Sequence, residues 1–572
     1  MRKFSIFNFS SRGGSVFGGQ FSRIMILLIL ILLIAAVLRF WQLGNIPPSP
    51  DWDEVALGYN AYSLLETGKD EFGKTFPVVL RSFDDYKPAL YVYLIIPFIP
   101  IFDLTVFAVR FPSAIFGILT ILAVFFLVKE LFYENKYKEY LALLVSFLLA
   151  ISPWHIQVSR VAFETNIGLS FNIFAALFFI KGLKKPYLLI LSAIFAGLSL
   201  YTYQSEKVFT PIFILLLFLV YLTRVIKIPK KYIVTSILVG MIVILPTVFY
   251  IFTNKESLLR AKATSVFADS TQLLKDSAAK IDYDIKNDDK IGLVFDNRRI
   301  VYIKTIISGY ISHYDFNWLF VEGDLKRHHA PGMGLLYLFE LPFFLIGIYM
   351  LIFGKYNLKT KLLVLGWFLI APIPASITTG VPHALRTLNF LPTFQIFTAI
   401  GIISAVGLIS NFKFQISNFR IWKLFAILFL LFAGLNFIYY LNQYFVQQNY
   451  FYANQWQYGW EQAANYVKEN ENKFDKILVS DTQPLDRSYM FFAFYLKFPP
   501  NKYQEVGANE SGGFAQKHFF EKYEFRSINW EVDSKSEKIL IVAAPSEIPG
   551  SVTPSKTIYN PDKSPAILII EK

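Results

Sequence analysis

The chain contains no cysteine, and only 17% of its 572 residues are charged. Without cysteine it can form no disulfide, no thiolate nucleophile and no cysteine-ligated zinc site. A soluble protein of this length would carry about 25% charged residues. Apolar residues instead make up 54% of the chain, with 59 Phe and 33 Tyr. This composition indicates a membrane protein.

The net charge of +13 does not indicate a nucleic-acid partner. The basic residues lie in short clusters between apolar stretches, which is the pattern that basic cytoplasmic loops produce in membrane proteins. A nucleic-acid-binding protein would instead gather its basic residues on one face. We therefore expect no nucleic acid among the partners.

Eleven apolar runs are candidate membrane spans, since a helix needs about 20 mostly apolar residues to cross a bilayer. The runs are Ile24–Leu43, Pro112–Val128, Tyr140–Ile151, Ile167–Ile180, Tyr187–Leu200, Phe209–Leu222, Ile233–Phe252, Leu335–Phe353, Leu362–Ile377, Phe390–Ile409 and Trp422–Leu441. The first run follows basic residues but lacks a small-residue cleavage site. We predict that it is a retained span and not a signal peptide.

Lysine and arginine are concentrated in every second connection between these runs. The basic connections are Lys136–Lys138, Lys181–Lys185, Arg224–Lys231, Lys355–Lys361 and Lys413–Lys423. Because cytoplasmic loops carry the excess of Lys and Arg, this alternation predicts a cytoplasmic N-terminus. With an odd number of spans, the C-terminus then lies outside the plasma membrane.

Two long connections fall on the external side in this topology, at about residues 44–109 and 253–334. The first is acidic and contains the apolar run Ala89–Ile101, which Pro97 and Pro100 interrupt. This run is too short to span a bilayer, so we expect it to lie at the interface or to re-enter. Connections of such length are uncommon and usually functional.

The chain changes character after Leu441. The pattern there predicts two helices and three buried strands: Trp460–Asn470, Ser488–Leu496, Lys476–Ser480, Lys538–Ala543 and Ala566–Ile570. Alternating helices and strands are typical of a small α/β domain. We therefore divide the chain into an α-helical polytopic membrane domain over residues 1–441 and an extracytoplasmic α/β domain over residues 442–572.

Three carboxylates follow the first span in the sequence Asp-Trp-Asp-Glu, namely Asp51, Asp53 and Glu54. At an external membrane edge, such a group can act as a general base, ligate a metal or cap a helix. Asp51 or Asp53 could cap a helix that continues through Val55–Leu65. The residues alone leave catalysis and capping open.

Three further residues at external span ends could bind a phosphate. Lys87 lies at the edge of the aromatic segment Asp85–Tyr91, and His383 and Arg386 precede the tenth apolar run. The alternatives are snorkelling of the Lys87 amine toward lipid headgroups and contact of Arg386 with the phosphates of ordinary lipids.

The segment Ser152–Thr165 places His155, Arg160 and Glu164 in one external connection. Glu164 could also simply begin the next helix, where a carboxylate suits the N-terminal dipole. Another segment contains the adjacent pair His328–His329, which lacks the i, i+4 spacing of a helical zinc pair. No cysteine and no HxxE or ExxH pattern accompanies this pair, so we predict no metal site.

Carboxylates and cations therefore lie on one membrane face in different connections, and such charges indicate function when several can converge. A carrier that flips a lipid-linked sugar would show inverted repeats and charges near the bilayer midplane. The sequence has no internal repeat. A glycan polymerase or ligase with an external site built on His383 and Arg386 stays possible.

The order of three motifs is specific. Asp53–Glu54 follows the first span, Lys87–Tyr91 reads Lys-Pro-Ala-Leu-Tyr, and Arg110–Ala114 reads Arg-Phe-Pro-Ser-Ala at the second span. This order resembles the GT-C superfamily of polyprenyl-phosphate-sugar-dependent glycosyltransferases, in particular protein O-mannosyltransferases and bacterial aminoarabinose transferases. The chain departs from the family in reading Lys-Pro-Ala where the family has Lys-Pro-Pro. It also lacks the Asp-x-Asp of the metal-dependent oligosaccharyltransferases.

The resemblance implies a role for each matching residue. Asp53, followed by Glu54, matches the catalytic carboxylate, and Lys87 matches the lysine that binds donor phosphate. Glu164 matches the acidic residue on the acceptor side, and Arg386 matches the arginine that contacts the carrier phosphate. We also predict that His383 binds the donor phosphate. On the acceptor side we add Tyr86, His155 and Arg160.

The resemblance further implies a membrane glycosyltransferase of the cell envelope. It would move a sugar from a polyprenyl-phosphate donor to an extracytoplasmic protein, lipid or glycan, with inversion at the anomeric carbon. A lipid phosphate leaves readily once cations offset its charge, so the reaction needs one base and well-placed positive groups. We therefore expect no cofactor and no metal ion.

Overall fold

The computed structural model describes residues 16–83, 85–254, 259–268, 271–412, 419–507 and 518–572. Among these residues, eight helices are long and apolar enough to cross a membrane. They are Ser22–Phe40, Val106–Leu131, Glu164–Gly182, Glu206–Val225, Lys230–Thr253, Leu358–Ser376, Leu388–Gly407 and Ala426–Phe451. The protein is therefore an integral membrane protein.

Three more helical segments coincide with the remaining apolar runs. Lys138–Ile151 and Pro153–Arg160 form a pair bent by 57° at Ser152, and Leu188–Ser199 and Glu340–Phe353 are shorter apolar helices. The bend falls where Pro153, at the first position of the second helix, has no backbone N–H to donate. The predicted α-helical polytopic fold is confirmed. The described residues contain eight helices long enough to cross a membrane, or nine if the bent pair is one span, whereas the sequence predicted about eleven. Lys413, in the last basic connection, lies outside the described residues.

The first long connection contains a helix and a β-hairpin. The helix Trp52–Thr67 begins at the N-cap Asp51 and ends at Gly68, whose φ of +69° is a left-handed conformation that glycine adopts without strain. Strands β1 (Val79–Ser82) and β2 (Asp85–Pro88) then pair antiparallel.

The apolar run after the hairpin forms three short helical pieces, Leu90–Ile95, Ile96–Phe98 and Ile99–Phe102. Proline lies among the first two positions of the second and third pieces, where its missing N–H does not interrupt helical hydrogen bonding.

The second long connection is largely helical where it is described. Its helices are Leu259–Thr264, Thr271–Lys286, Lys290–Phe295 and Arg298–Ser312. Asp289 and Asn297 cap the last two of these through side-chain bonds to backbone N–H groups.

The C-terminal part is an α/β unit with a six-stranded mixed sheet. Its strands are β3 (Lys476–Val479), β4 (His518–Phe520), β5 (Tyr523–Phe525), β6 (Ile539–Ala543), β7 (Lys556–Tyr559) and β8 (Pro565–Glu571), in the order β4-β5-β3-β6-β8-β7. Central β3 runs parallel to β5 and β6, and the other pairs are antiparallel. Helices Trp460–Asn470 and Ser488–Tyr495 accompany the sheet. The predicted α/β architecture is confirmed.

This α/β unit packs directly on the helix Trp52–Thr67. An added Cβ at Gly58 would lie 2.6 Å from Cε2 of Phe494, so the two helices approach as closely as glycine allows. The Tyr59 hydroxyl donates a hydrogen bond of 2.9 Å to the carbonyl of Phe498. Residues of the helix Trp52–Thr67 and of the α/β unit share one hydrophobic core, which holds the helix against the unit.

Candidate active site

Asp53 and Lys87, 34 residues apart in the chain, form an ion pair through Oδ1 and Nζ. The Lys87 residue is 8% exposed, whereas the Asp53 side chain is 37% exposed. Burial disfavours the charged amine, but the carboxylates of Asp53 and Glu164 outweigh this effect and raise the pKa of Lys87. The site therefore holds a stable buried cation beside an accessible carboxylate.

Two short elements position this pair. Asp53 is the second residue of the helix Trp52–Thr67, so its direction is set by the helix start. Lys87 lies on β2 directly opposite Leu80 of β1, and its alternating strand geometry directs it away from the neighbouring Tyr86. Tyr86 itself lies opposite Arg81 and accepts a hydrogen bond of 2.8 Å at its carbonyl from Gln204 Nε2.

Asp51 and Glu54 form a capping box at the start of the helix. Asp51 Oδ1 accepts from the Glu54 N–H at 2.9 Å, and Glu54 Oε2 accepts from the Asp51 N–H at 3.2 Å. Burial raises the pKa of Asp51 to about 6, although the nearby Arg327 opposes the rise. Asp51 is thus the residue that caps the helix, and Asp53 is not.

Glu54 also forms a buried bidentate ion pair with Arg110 of the second span. Arg110 Nε and Nη2 each donate to one Glu54 oxygen at 2.8 Å, and Glu54 Oε1 accepts a further bond of 3.0 Å from the Ala162 N–H. Arg110 donates its remaining bonds to carbonyls of the segment after the first span. The structure therefore places Glu54 in a buried anchor and not beside Lys87.

Tyr203 lies within electrostatic range of four of the predicted site residues. Burial raises the pKa of its hydroxyl, so this group stays protonated and can donate a hydrogen bond. The cations Arg386 and Lys87 oppose the rise. The carboxylates Glu164 and Asp53 add to it. The charges of these four residues therefore all act on the Tyr203 hydroxyl.

Sequence reasoning did not find Tyr203, which belongs to a short connection between two spans. The N–H of Leu90, two residues after β2, makes a long hydrogen bond of 3.3 Å to the carbonyl of Tyr201, so this connection lies next to β2. A tyrosine in an external connection resembles any other interfacial aromatic residue in sequence.

Arg386 and Glu164 belong to later segments of the chain. Arg386 Nη1 donates to Thr378 Oγ1 at 2.6 Å and to the Thr379 carbonyl at 2.7 Å, which orients the guanidinium. Glu164 is 8% exposed and opens the helix Glu164–Gly182. The carboxylate of Glu164 thus acts on Lys87, whereas the charge of Arg386 acts on Tyr203.

Arg160 and His155 lie elsewhere, in a buried network at the end of the first span. Arg160 donates to four backbone carbonyl oxygens: Leu38, Arg39, Trp41 and Ile46. The His155 Nδ1 lies 2.7 Å from Arg39 Nη2. Both residues hold the first span against its neighbours, and the structure does not bring them to Asp53.

His383 groups with two residues of the second long connection. Its ring centroid lies 5.0 Å from that of His328, and His328 Nδ1 lies 3.3 Å from Asp324 Oδ2. Asp324 was not a candidate in the sequence, because its partner His383 is distant in the chain.

Comparisons with known proteins bear on the fold and on the family resemblance. A family model described as dolichyl-phosphate-mannose-protein mannosyltransferase matches residues 86–250, a segment that contains Lys87, Glu164 and Tyr203. The crystal structure of ArnT from Cupriavidus metallidurans bound to undecaprenyl phosphate superposes with a TM-score of 0.51 and 11% identity, covering 96% of this chain and 98% of that chain. The chain has the GT-C fold. The resemblance to O-mannosyltransferases and aminoarabinose transferases is confirmed.

Two other solved structures are also similar to this chain. ArnT in the apo state gives a TM-score of 0.50 at 12% identity over 97% of this chain and 98% of that chain. The archaeal oligosaccharyltransferase AglB from Archaeoglobus fulgidus gives a TM-score of 0.48 at 15% identity over 84% of this chain. The chain spans 64% of the length of AglB. A search of curated protein sequences finds no match.

Proposed function

We propose that the protein transfers a sugar from a polyprenyl-phosphate carrier to an acceptor on the external face of the plasma membrane, with inversion at the anomeric carbon. The observation that carries this proposal is the buried Lys87 cation paired with the accessible Asp53 carboxylate. The undecaprenyl phosphate bound by ArnT, which has the same fold, supports a lipid-phosphate donor.

Lys87 and Arg386 bind the donor phosphate in this proposal. An ammonium has three N–H donors, so Lys87 can leave one on Asp53 while it turns others toward a phosphate. Arg386 adds a planar guanidinium, which suits phosphate oxygens. Together the two cations offset the charge that develops on the phosphate as it leaves, so no protonating acid is required.

Asp53 acts as the base. It accepts the proton of an acceptor hydroxyl while the acceptor oxygen bonds to the anomeric carbon. The bond from that carbon to the phosphate oxygen breaks on the opposite side, and the phosphate keeps the electron pair. Glu164 and the Tyr203 hydroxyl orient the acceptor or sugar hydroxyls by hydrogen bonding.

The transfer step uses no Mg²⁺ or Mn²⁺ in this proposal. A hard divalent cation would have to bridge a carboxylate and the phosphate, and the Lys87 amine already contacts the carboxylate of Asp53. The rate should therefore stay the same when either ion is added or withheld.

The direct test supplies the purified protein, reconstituted in liposomes, with radiolabelled polyprenyl-phosphate sugars and cell-envelope acceptor fractions. We expect label to move into one acceptor fraction and the free polyprenyl phosphate to accumulate in equal amount. NMR of the product should show the anomeric configuration opposite to that of the donor. Label that crosses the membrane still attached to its carrier would contradict the proposal and indicate a transporter.

A further inference from the structure

The side chains of Asp324, His328 and His383 meet in one cluster outside the candidate active site. One ligand-type atom from each residue lies within 4.8 Å of the other two. Asp324 and His328 belong to the second long connection, whereas His383 comes from the connection before the span Leu388–Gly407. The cluster therefore joins two segments that are far apart in the chain.

The contact between Asp324 and His328 fits shared coordination better than a strong hydrogen bond. His328 Nδ1 and Asp324 Oδ2 are 3.3 Å apart, just beyond the range of about 2.7–3.2 Å for an N–H···O bond. Zinc with ligand bonds of about 2.0–2.1 Å in a tetrahedron places neighbouring ligand atoms roughly 3.3 Å from each other. The first two side chains thus already have the separation that one ion would impose.

His383 also has an unsatisfied ring nitrogen. Its Nδ1 is buried and has no hydrogen-bond partner among the residues that the structure describes. A buried ring nitrogen without a partner is costly, so a native structure usually provides one. A metal ion at the centre of the cluster would be that partner.

Surrounding bonds hold the carboxylate in place. The Ala384 N–H donates to Asp324 Oδ2, and His329 Nε2 bonds the Asp324 carbonyl oxygen at 2.5 Å. Such supporting bonds orient the ligands of protein metal sites. The two adjacent histidines therefore differ in role. His328 is part of the cluster, whereas His329 stabilises the loop that carries Asp324.

We propose that Asp324, His328 and His383 bind one zinc ion, with a water molecule in the fourth position. This proposal replaces the sequence-based prediction of no metal site at His328, because the other two ligands come from outside the pair His328–His329. Two imidazoles and one carboxylate form a ligand set that favours zinc or a similar late transition metal. The set does not suit Mg²⁺ or Ca²⁺, which prefer oxygen ligands.

The ion would fasten the two connections that flank the candidate active site. The His328 ring packs edge-on against Phe163 at 5.9 Å, one residue before Glu164. The carbonyl of Leu385, one residue before Arg386, accepts a hydrogen bond of 2.9 Å from Thr165. The zinc is thus a structural ion beside the site, and the reacting groups around Asp53 do not coordinate it.

The test measures metal content by mass spectrometry in protein purified through a tag without histidine and equilibrated with micromolar zinc. We expect about one zinc per chain, as for a single closed site. His328→Ala and His383→Ala should each retain less than about a tenth of that content, because losing a ligand weakens binding beyond the roughly 10–100-fold cost of losing a supporting bond. His518→Ala removes a histidine of the α/β unit and should keep the full content.

A second variant keeps the result interpretable if an alanine variant misfolds. His383→Cys places the only thiol of the chain in the cluster. Loaded with cobalt in place of zinc, it should show a thiolate-to-cobalt charge-transfer band that wild type lacks. Wild type without zinc, alanine variants with wild-type zinc content, or a cobalt-loaded cysteine variant without this band would each overturn the proposal. These readings need no turnover, so they are independent of the transferase proposal.

Discussion

Lys87 and Arg386 differ in how the protein holds them. Lys87 is buried and its first partner is a carboxylate, whereas Arg386 is partly exposed and donates to a hydroxyl and a carbonyl oxygen. Removal of Lys87 therefore also leaves Asp53 without its counter-charge. The two residues should both matter for donor binding, and Lys87 should matter more.

Alanine variants test this ranking. Charge-assisted contacts to a phosphate are worth about 1.5–3 kcal/mol, so Lys87→Ala should raise the apparent donor constant or lower the rate by about tenfold to a hundredfold. Arg386→Ala should act in the same direction with a smaller effect. Initial rates over a range of donor concentrations measure both.

Lys502→Ala is the matched control, because Lys502 lies in an exposed ion pair with Glu521 in the α/β unit. It should leave the donor dependence unchanged. If both site variants showed the donor dependence of wild type, Lys87 and Arg386 would not bind the donor and would instead contact lipid headgroups.

Among the elements, the helix Trp52–Thr67 carries the candidate base and is fixed at both faces. Glu54 joins it to Arg110 of the second span, and Gly58 and Tyr59 pack against the α/β unit. These contacts keep the position of Asp53 constant relative to β2. A rigid support of this kind is what a site that depends on positioning requires.

Loss of the buried pair should destabilise the protein strongly. Glu54→Ala leaves the Arg110 guanidinium buried without its counter-charge, and breaking a buried pair in this way costs about 3–5 kcal/mol. Glu521→Ala breaks an exposed pair and should cost no more than about 1 kcal/mol. Thermal unfolding in detergent compares the two variants. Equal unfolding temperatures would show that Glu54 does not anchor this helix.

The elements differ in how far the sequence predicted them. The amphipathic helix Trp460–Asn470 was predicted with the bounds that the structure shows, because its apolar spacing is regular over eleven residues. Strands β4 and β5 were missed, since three residues are too few to show alternation. The motif residues Asp53 and Lys87 were identified by local sequence. The partners of Arg160 and Asp324 were not identified, because they belong to segments that are distant in the sequence.

At the scale of the whole molecule, the candidate site lies where the α/β unit meets the span ends. The helix Trp52–Thr67, which carries Asp53, packs against that unit and is paired with Arg110 of the second span. The site and the α/β unit must therefore lie on the same side of the membrane. The alternation of basic connections predicts that this side is external.

Reporter fusions test the orientation. A reporter that is active only in the cytoplasm, fused after Lys572, should give no signal. The same reporter inserted in the basic connection Lys181–Lys185 should be active. A strong signal from the Lys572 fusion would place every proposed site residue on the cytoplasmic face.

The central claim is that Asp53 removes the acceptor proton, and the turnover rate of Asp53→Asn tests it most directly. Asparagine keeps the size of the side chain but cannot act as a base, and a general base contributes about 10²–10⁴-fold. The variant should fold and bind radiolabelled donor, yet turn over slower by that factor. Asp51→Asn is the matched control, because asparagine caps a helix as well as aspartate, and it should stay close to wild type. Near-normal turnover of Asp53→Asn would contradict the account.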